Sequence, residues 1–127
     1  MVHELLRDAR RVQGLEIGIG IAYNHESPLR PPNFVSRKIS LGVKKIAQGE
    51  RETISIGNLD ARRDWGYAGD YVKAMGLIGR KRLSEDFVIA TGIQHSIRDF
   101  LRIAFDEVGI RNWESRVLSA PALFRPN

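Results

Sequence analysis

VHELLRDARRVQGLEIGIGIAY, residues 2–23, sets the fold class. In its first part Val2, Leu5, Leu6, Ala9 and Val12 recur at helical spacing, Arg7, Asp8, Arg10 and Arg11 are left for the wet face, and Gly14 stops the pattern. The second part changes period. Ile17, Ile19, Ile21 and Tyr23 alternate with small residues, which predicts a strand over residues 15–23. Helix, glycine, strand is the second half of a crossover unit, so the chain is read as α/β. Gly18 and Gly20 do not form a dinucleotide fingerprint, whose glycines follow a strand at the turn into a helix. Here they lie inside the strand, where small residues let another element pack closely.

The same two periods organise the rest. Residues 24–33 predict a loop, because Pro28, Pro31 and Pro32 each forbid regular pairing. Residues 34–48 predict a helix with Val35, Ile39, Val43 and Ile46 as one stripe, Asn33 as the candidate N-cap and Gly49 as its end. A short strand over 52–57, a polar loop over 58–68 and a helix over 70–78 through Val72, Met75 and Ile78 follow, then a solvated connection over 79–85. Residues 86–91 predict a buried strand, since 87–90 are continuously apolar. They lead into a helix over 96–108, with Ser96 and Asp99 in capping-box spacing and Gly109 as the stop. Residues 110–127 are mixed, and no internal repeat is present.

Composition bounds the function classes. With 127 residues, 43% hydrophobic and 28% charged, the chain is globular in type, which excludes a disordered tail or a fibrous repeat. The absence of Cys excludes disulfides and thiolate metal sites and suits a reducing compartment. The longest apolar run, 17–23, is too short and too glycine-rich to span a bilayer, so the expectation is a soluble cytoplasmic protein without membrane contact. The net charge of +5 fits an acidic partner, yet no stacking-aromatic pattern or base-reading motif accompanies it, and nucleic acid is not expected. His3, His25 and His95 lack metal-ligand spacing, and no Ser sits in a nucleophile arrangement.

Two polar stretches each follow a strand and precede a helix, where open α/β sheets place their ligands. One carries Asn24, His25, Glu26, Ser27 and Arg30, with Arg37 and Lys38 at the start of the next helix; the other carries Asn58, Asp60, Arg62, Arg63, Asp64 and Trp65. Planar guanidinium groups suit phosphate oxygens, and a helix N-terminus adds partial positive charge. The plainer alternatives are a surface ion-pair cluster of Asp60, Arg62, Arg63 and Asp64, a hydrogen-bonded loop histidine at His25, and a solvated face at Lys44 and Lys45. Trp65 is either a core plug or a lid.

The strings NHESP (24–28) with Arg30, FVSRKI (34–39), GNLDARRDWGYAGDYVKAM (57–75) and ATGIQHSIRDF (90–100) carry a resemblance. In order, they resemble the C-terminal half of GDP-mannose 4,6-dehydratases, extended short-chain dehydrogenases/reductases. The resemblance implies the C-terminal part of an NAD(P)-binding Rossmann-like fold without its N-terminal half, with residues 1–127 as one partial, substrate-binding domain. Enzymes of that family use bound NADP to oxidise C4 of GDP-mannose, eliminate water across C5 and C6, and return the hydride to C6, giving GDP-4-dehydro-6-deoxymannose. By resemblance His25 and Arg30 face NADP, while Asn24, Val35, Arg37, Lys38, Arg63 and Arg125 face the substrate.

Leu29 stands where many members carry an arginine, and a glutamate is expected just after Asn127. The family's Tyr-x-x-x-Lys pair, Gly-rich loop, catalytic Ser/Thr and catalytic Glu match positions upstream of this sequence. The resemblance therefore implies a fragment or one piece of a split enzyme, silent alone, with GDP-mannose as ligand and an N-terminal half or a second copy as partner. The alternatives are a portion of another nucleotide-sugar epimerase or reductase, and a non-catalytic interaction module.

Overall fold

The computed structural model describes residues 2–120. In chain order the elements are α1 (Val2–Gln13), β1 (Ile19–Ala22), β2 (Asn24–Glu26), α2 (Val35–Ala47), β3 (Ile54–Ile56), β4 (Arg62–Tyr67), α3 (Ala68–Arg80), β5 (Asp86–Ile89), β6 (Gln94–Ser96), α4 (Ile97–Asp106) and β7 (Val117–Ser119), with a 3-10 turn at Trp113–Arg116. The α/β reading holds. The chain forms two compact units: residues up to Ser27 with Asp64–Ile93, and Pro28–Arg63 with residues from Gln94 onward.

In the first unit β1 pairs in parallel with β5, from Ile19 opposite Asp86 to Ala22 opposite Ile89. Parallel neighbours need a crossover, and α3 runs between the ladders. β2 pairs in parallel with the second half of β4, placing Asn24 opposite Trp65 and His25 opposite Gly66. The expectation of close packing at the glycines is met at Gly18, which lies just before β1 and not inside it, where a side chain would run into Ile78 and the Leu83 carbonyl.

α1 keeps its expected bounds but not its expected burial. Val2 is 70% and Val12 74% exposed, and none of the helix's described residues is buried. It is held by a different face: Arg10 donates to the Ile17 carbonyl at 3.1 Å and to Asp86 at 2.8 Å, and His3 lies 2.8 Å from the same carboxylate. Residues 3, 7 and 10 make that polar edge, rotated away from the stripe of 2, 5, 9 and 12.

The second unit has a denser core. Ile39, Val43 and Ile46 of α2, Ile54 and Ile56 of β3, Ile97, Leu101 and Phe105 of α4, and Trp113 are all buried. β3 pairs in parallel with β7, Ile54 opposite Val117. The Phe105 and Trp113 rings stack with centroids 6.4 Å apart. Ser96 caps α4 as its spacing predicts, with the Ser96 side chain bonded to the Asp99 N–H at 3.0 Å and the Asp99 carboxylate to the Ser96 N–H at 2.9 Å. Gly109 stops the chain's helical path at φ +74°, a conformation that costs other residues a Cβ clash.

Four expectations change. β2 and β4 are strands where the sequence predicted loops, because short polar segments become strands through the partner they meet rather than through a hydrophobic period. α2 is capped by Phe34, which offers no side-chain cap bond, so Asn33 is not the N-cap. α3 buries Tyr71 and leaves Val72 67% exposed, a stripe one residue out of phase with the predicted one. β5 alternates, with Val88 exposed, in place of the fully buried strand. Among the described residues, no helix is long and apolar enough to cross a membrane.

Candidate functional site

The first unit carries Asn24 and His25 on β2. The His25 Nδ1 lies 2.8 Å from the Tyr23 carbonyl, so this nitrogen is the donor. The ring packs against Tyr71 of α3 with centroids 5.2 Å apart and planes tilted by 32°. Tyr71 is 4% exposed, and its hydroxyl has no hydrogen-bond partner among the described residues. Burial foremost, then the charge of Asp64, pushes its phenol above the ordinary 10.0.

Asp64 of β4 is a structural strut. Only 5% exposed, it accepts from the Thr91 N–H at 3.0 Å, the Thr91 hydroxyl at 2.8 Å and the Gly92 N–H at 2.8 Å. This fastens the residues after β5 to β4. Charge-assisted bonds to two backbone donors are what a sharp turn beyond a strand end requires.

The second unit carries Arg30, Val35, Arg37, Lys38 and Arg63. The Arg30 guanidinium lies 3.7 Å over the centroid of the Phe34 ring, which fixes its plane. Val35, Arg37 and Lys38 occupy the first turn of α2 and are half-buried. That turn holds no acidic residue and no side-chain cap, so two cations reinforce the partial positive charge of the helix start. An anion neutralises such an arrangement.

Arg63 is exposed and donates to the Arg62 carbonyl at 2.6 Å, while Arg62 donates to the Gln94 carbonyl at 2.9 Å. Asp60 pairs with Arg98 at 3.1 Å. The four-membered cluster of Asp60, Arg62, Arg63 and Asp64 is thus not the arrangement formed, since Asp60 pairs outside it and both arginines donate to carbonyls. Lys44 and Lys45 are exposed, as a solvated face requires. Arg125 lies outside the described residues. Among the described residues, no group of three or more His, Asp or Glu is placed to hold a metal ion.

Of the predicted site residues, Asn24 and His25 thus fall in one unit, and Arg30, Val35, Arg37, Lys38 and Arg63 in the other. Tyr71 was missed as a partner of His25 because its burial is out of phase with the apolar stripe. Asp64 was seen as a loop charge because its partners lie 27 and 28 residues away, beyond any local pattern.

A family model described as GDP-mannose 4,6 dehydratase matches residues 1–123. The chain belongs to this family. It is 57% identical over 90 residues to the GDP-mannose 4,6 dehydratases of Cricetulus griseus and of Homo sapiens, covering 71% of this chain and 24% of each relative. GDP-mannose 4,6 dehydratase 1 of Arabidopsis thaliana is 43% identical over 117 residues, 92% of this chain and 32% of the relative. The chain therefore spans 24–32% of the length of these GDP-mannose 4,6 dehydratases.

Among solved structures, RMD from Pseudomonas aeruginosa, complexed with NADPH, superposes with a TM-score of 0.77 at 18% identity over 94% of this chain and 43% of that one. A dTDP-glucose 4,6-dehydratase from Streptomyces venezuelae, with NAD and TYD bound, gives 0.73 at 23% identity over 92% and 35%. At such identities the likeness is one of fold alone, a partial Rossmann-like α/β arrangement.

Proposed function

We propose that residues 1–127 are the substrate-binding portion of a cytoplasmic, NADP-dependent GDP-mannose 4,6-dehydratase, converting GDP-mannose to GDP-4-dehydro-6-deoxymannose. The observation that carries the reading is the cationic start of α2, where Arg37 and Lys38 stand in a first turn without acid or side-chain cap, inside the family match. A nucleoside diphosphate supplies the anion such a turn accommodates. Asn24, Val35, Arg63 and Arg125 complete the substrate side in this reading.

His25 and Arg30 are the residues that would hold the cofactor. They fit a nucleotide: the His25 ring is oriented by a hydrogen bond at Nδ1, and the Arg30 plane by the Phe34 ring. When bound, NADP supplies hydride acceptance at C4 and hydride return at C6. None of the described residues forms a tyrosine base beside a lysine in Tyr-x-x-x-Lys spacing, so in this reading the chain's share is binding and orientation.

Titration calorimetry with GDP-mannose tests the reading. Binding is expected to exceed that of UDP-sugars and to be lost in Arg37→Ala/Lys38→Ala; equal binding of UDP-sugars would favour another nucleotide-sugar enzyme. The purified chain with GDP-mannose and NADP should form no 4-keto product, and product should appear when a polypeptide carrying the Tyr-x-x-x-Lys pair and Gly-rich loop is added. Turnover by the chain alone would overturn that division of roles. The exposed Val2, Leu5 and Val12 of α1 favour association with such a partner or with a second copy. Light scattering across concentrations distinguishes the two, and a chain that associates but binds no nucleotide would instead be an interaction module.

A further inference from the structure

We propose that Tyr71 is a positioning residue: its ring fixes the His25 imidazole so that His25 offers Nε2 as a hydrogen-bond acceptor to a hydroxyl or amide N–H of a bound nucleotide. The ligand half of this inference rests on the cofactor reading above.

A carbonyl oxygen only accepts, so the 2.8 Å contact between His25 Nδ1 and the Tyr23 carbonyl places the proton on Nδ1. In the neutral ring Nε2 then bears the lone pair. It meets a donor well, whereas a phosphate oxygen finds no hydrogen there. One hydrogen bond still lets a ring swing about its axis. The second constraint is Tyr71, whose ring centroid lies 5.2 Å from that of His25.

The backbone makes room for this contact. Gly66 stands opposite His25 in the β2–β4 ladder, and any Cβ at Gly66 would collide with the Tyr71 ring and hydroxyl. Tyr71 thus lies over the His25–Gly66 pair because residue 66 has no side chain. Among the described residues its buried hydroxyl has no hydrogen-bond partner, an arrangement that polar groups ordinarily avoid. The hydroxyl therefore does not explain the residue; the ring face does, and phenylalanine supplies the same face.

The test is nitrogen NMR on the full chain labelled at histidine, with His3 and His95 as internal references. At a pH where His25 is neutral, the native chain and Tyr71→Phe should show the Nδ1–H tautomer, while Tyr71→Leu should show both tautomers. NADP+ should shift the Nε2 resonance, and inorganic pyrophosphate at equal concentration should not. Losing the orientation of one side chain should weaken NADP+ binding about tenfold in Tyr71→Leu and leave Tyr71→Phe near the native value.

An Nε2–H tautomer in the native chain overturns the proposal and needs no variant. So does a Tyr71→Leu chain with native His25 signals, or an Nε2 shift as large with pyrophosphate as with NADP+. If the tautomer depends on Tyr71 as expected but NADP+ does not bind, Tyr71's positioning role is supported and the cofactor reading fails.

Discussion

Asp64→Asn is expected to destabilise the chain by about 3–5 kcal/mol, far more than an isosteric surface change. The carboxylate is 5% exposed and accepts from the Thr91 N–H, the Thr91 hydroxyl and the Gly92 N–H at 2.8–3.0 Å. Each bond to a buried charge is worth about 1.5–3 kcal/mol net. In the amide, Oδ1 still accepts from Thr91, but as neutral bonds of about half the strength. The NH2 replaces the oxygen that faced Gly92, so two donors meet and the part-buried Gly92 N–H loses its partner, at about 1–3 kcal/mol. Thr91→Val removes the hydroxyl's bond to Asp64 together with that oxygen's longer contacts to the Ile93 N–H at 3.2 Å and the Ile93 carbonyl at 3.3 Å, and should cost about 1–2 kcal/mol.

Urea titrations followed by circular dichroism give both values at constant m, and the double variant gives the coupling. A coupling of about 1 kcal/mol is expected, because both changes act on the same oxygen. If Asp64→Asn leaves no folded baseline, Thr91→Val and its own midpoint still report on the strut. A loss below about 1 kcal/mol in Asp64→Asn, or strict additivity with Thr91→Val, would refute the reasoning.

Three further outcomes follow from the packing and charges. Gly42→Ala sets a methyl group against the side chain of Ile54 in a filled core and should lower stability by about 1–3 kcal/mol, read as a shift in the urea midpoint. The Asp99 carboxyl is held below its ordinary 3.8 by the Ser96 side chain first and the Ser96 N–H second. A lowered carboxyl contributes stability that is present above pH 3.8 and lost as pH falls through the lower folded value, so amide protection in α4 should drop in that acidic window and Asp99→Asn should flatten the drop. Asp86 is lowered by its bonds to Arg10 first and His3 second, and Asp86→Asn should speed amide exchange throughout α1 while leaving α4 unchanged.

What the sequence reveals depends on how far away each cause lies. α2 and α4 are legible because their causes are local: a 3.6-residue stripe, a glycine beyond the end, and in α4 a serine and an aspartate three apart that cap it. β2 and β4 are not, because NHE and RRDWGY carry no alternating hydrophobicity and become strands by pairing with each other, Asn24 meeting Trp65 41 residues later. The candidate residues divide along the same line. Arg37 and Lys38 are readable as a cationic helix start from their place beside the first residues of the stripe, whereas the tie between Asp64 and Thr91 and the contact between Tyr71 and His25 exist only once the ladder has formed.

α1 shows the limit from the other side. Its apolar positions form the expected stripe, yet Val2, Leu5 and Val12 stay exposed and Leu6 and Ala9 are only half-buried, while Arg10 and His3 bind Asp86 through a different edge. A hydropathy pattern registers every surface a segment is suited to cover, and the fold shows only the surfaces this chain itself supplies. The relatives it matches are much longer, this chain spanning 24–32% of their length, so the stripe on α1 is the place where the proposed partner should be sought first. If association leaves Leu5 as accessible as in the free chain, the docking surface lies elsewhere.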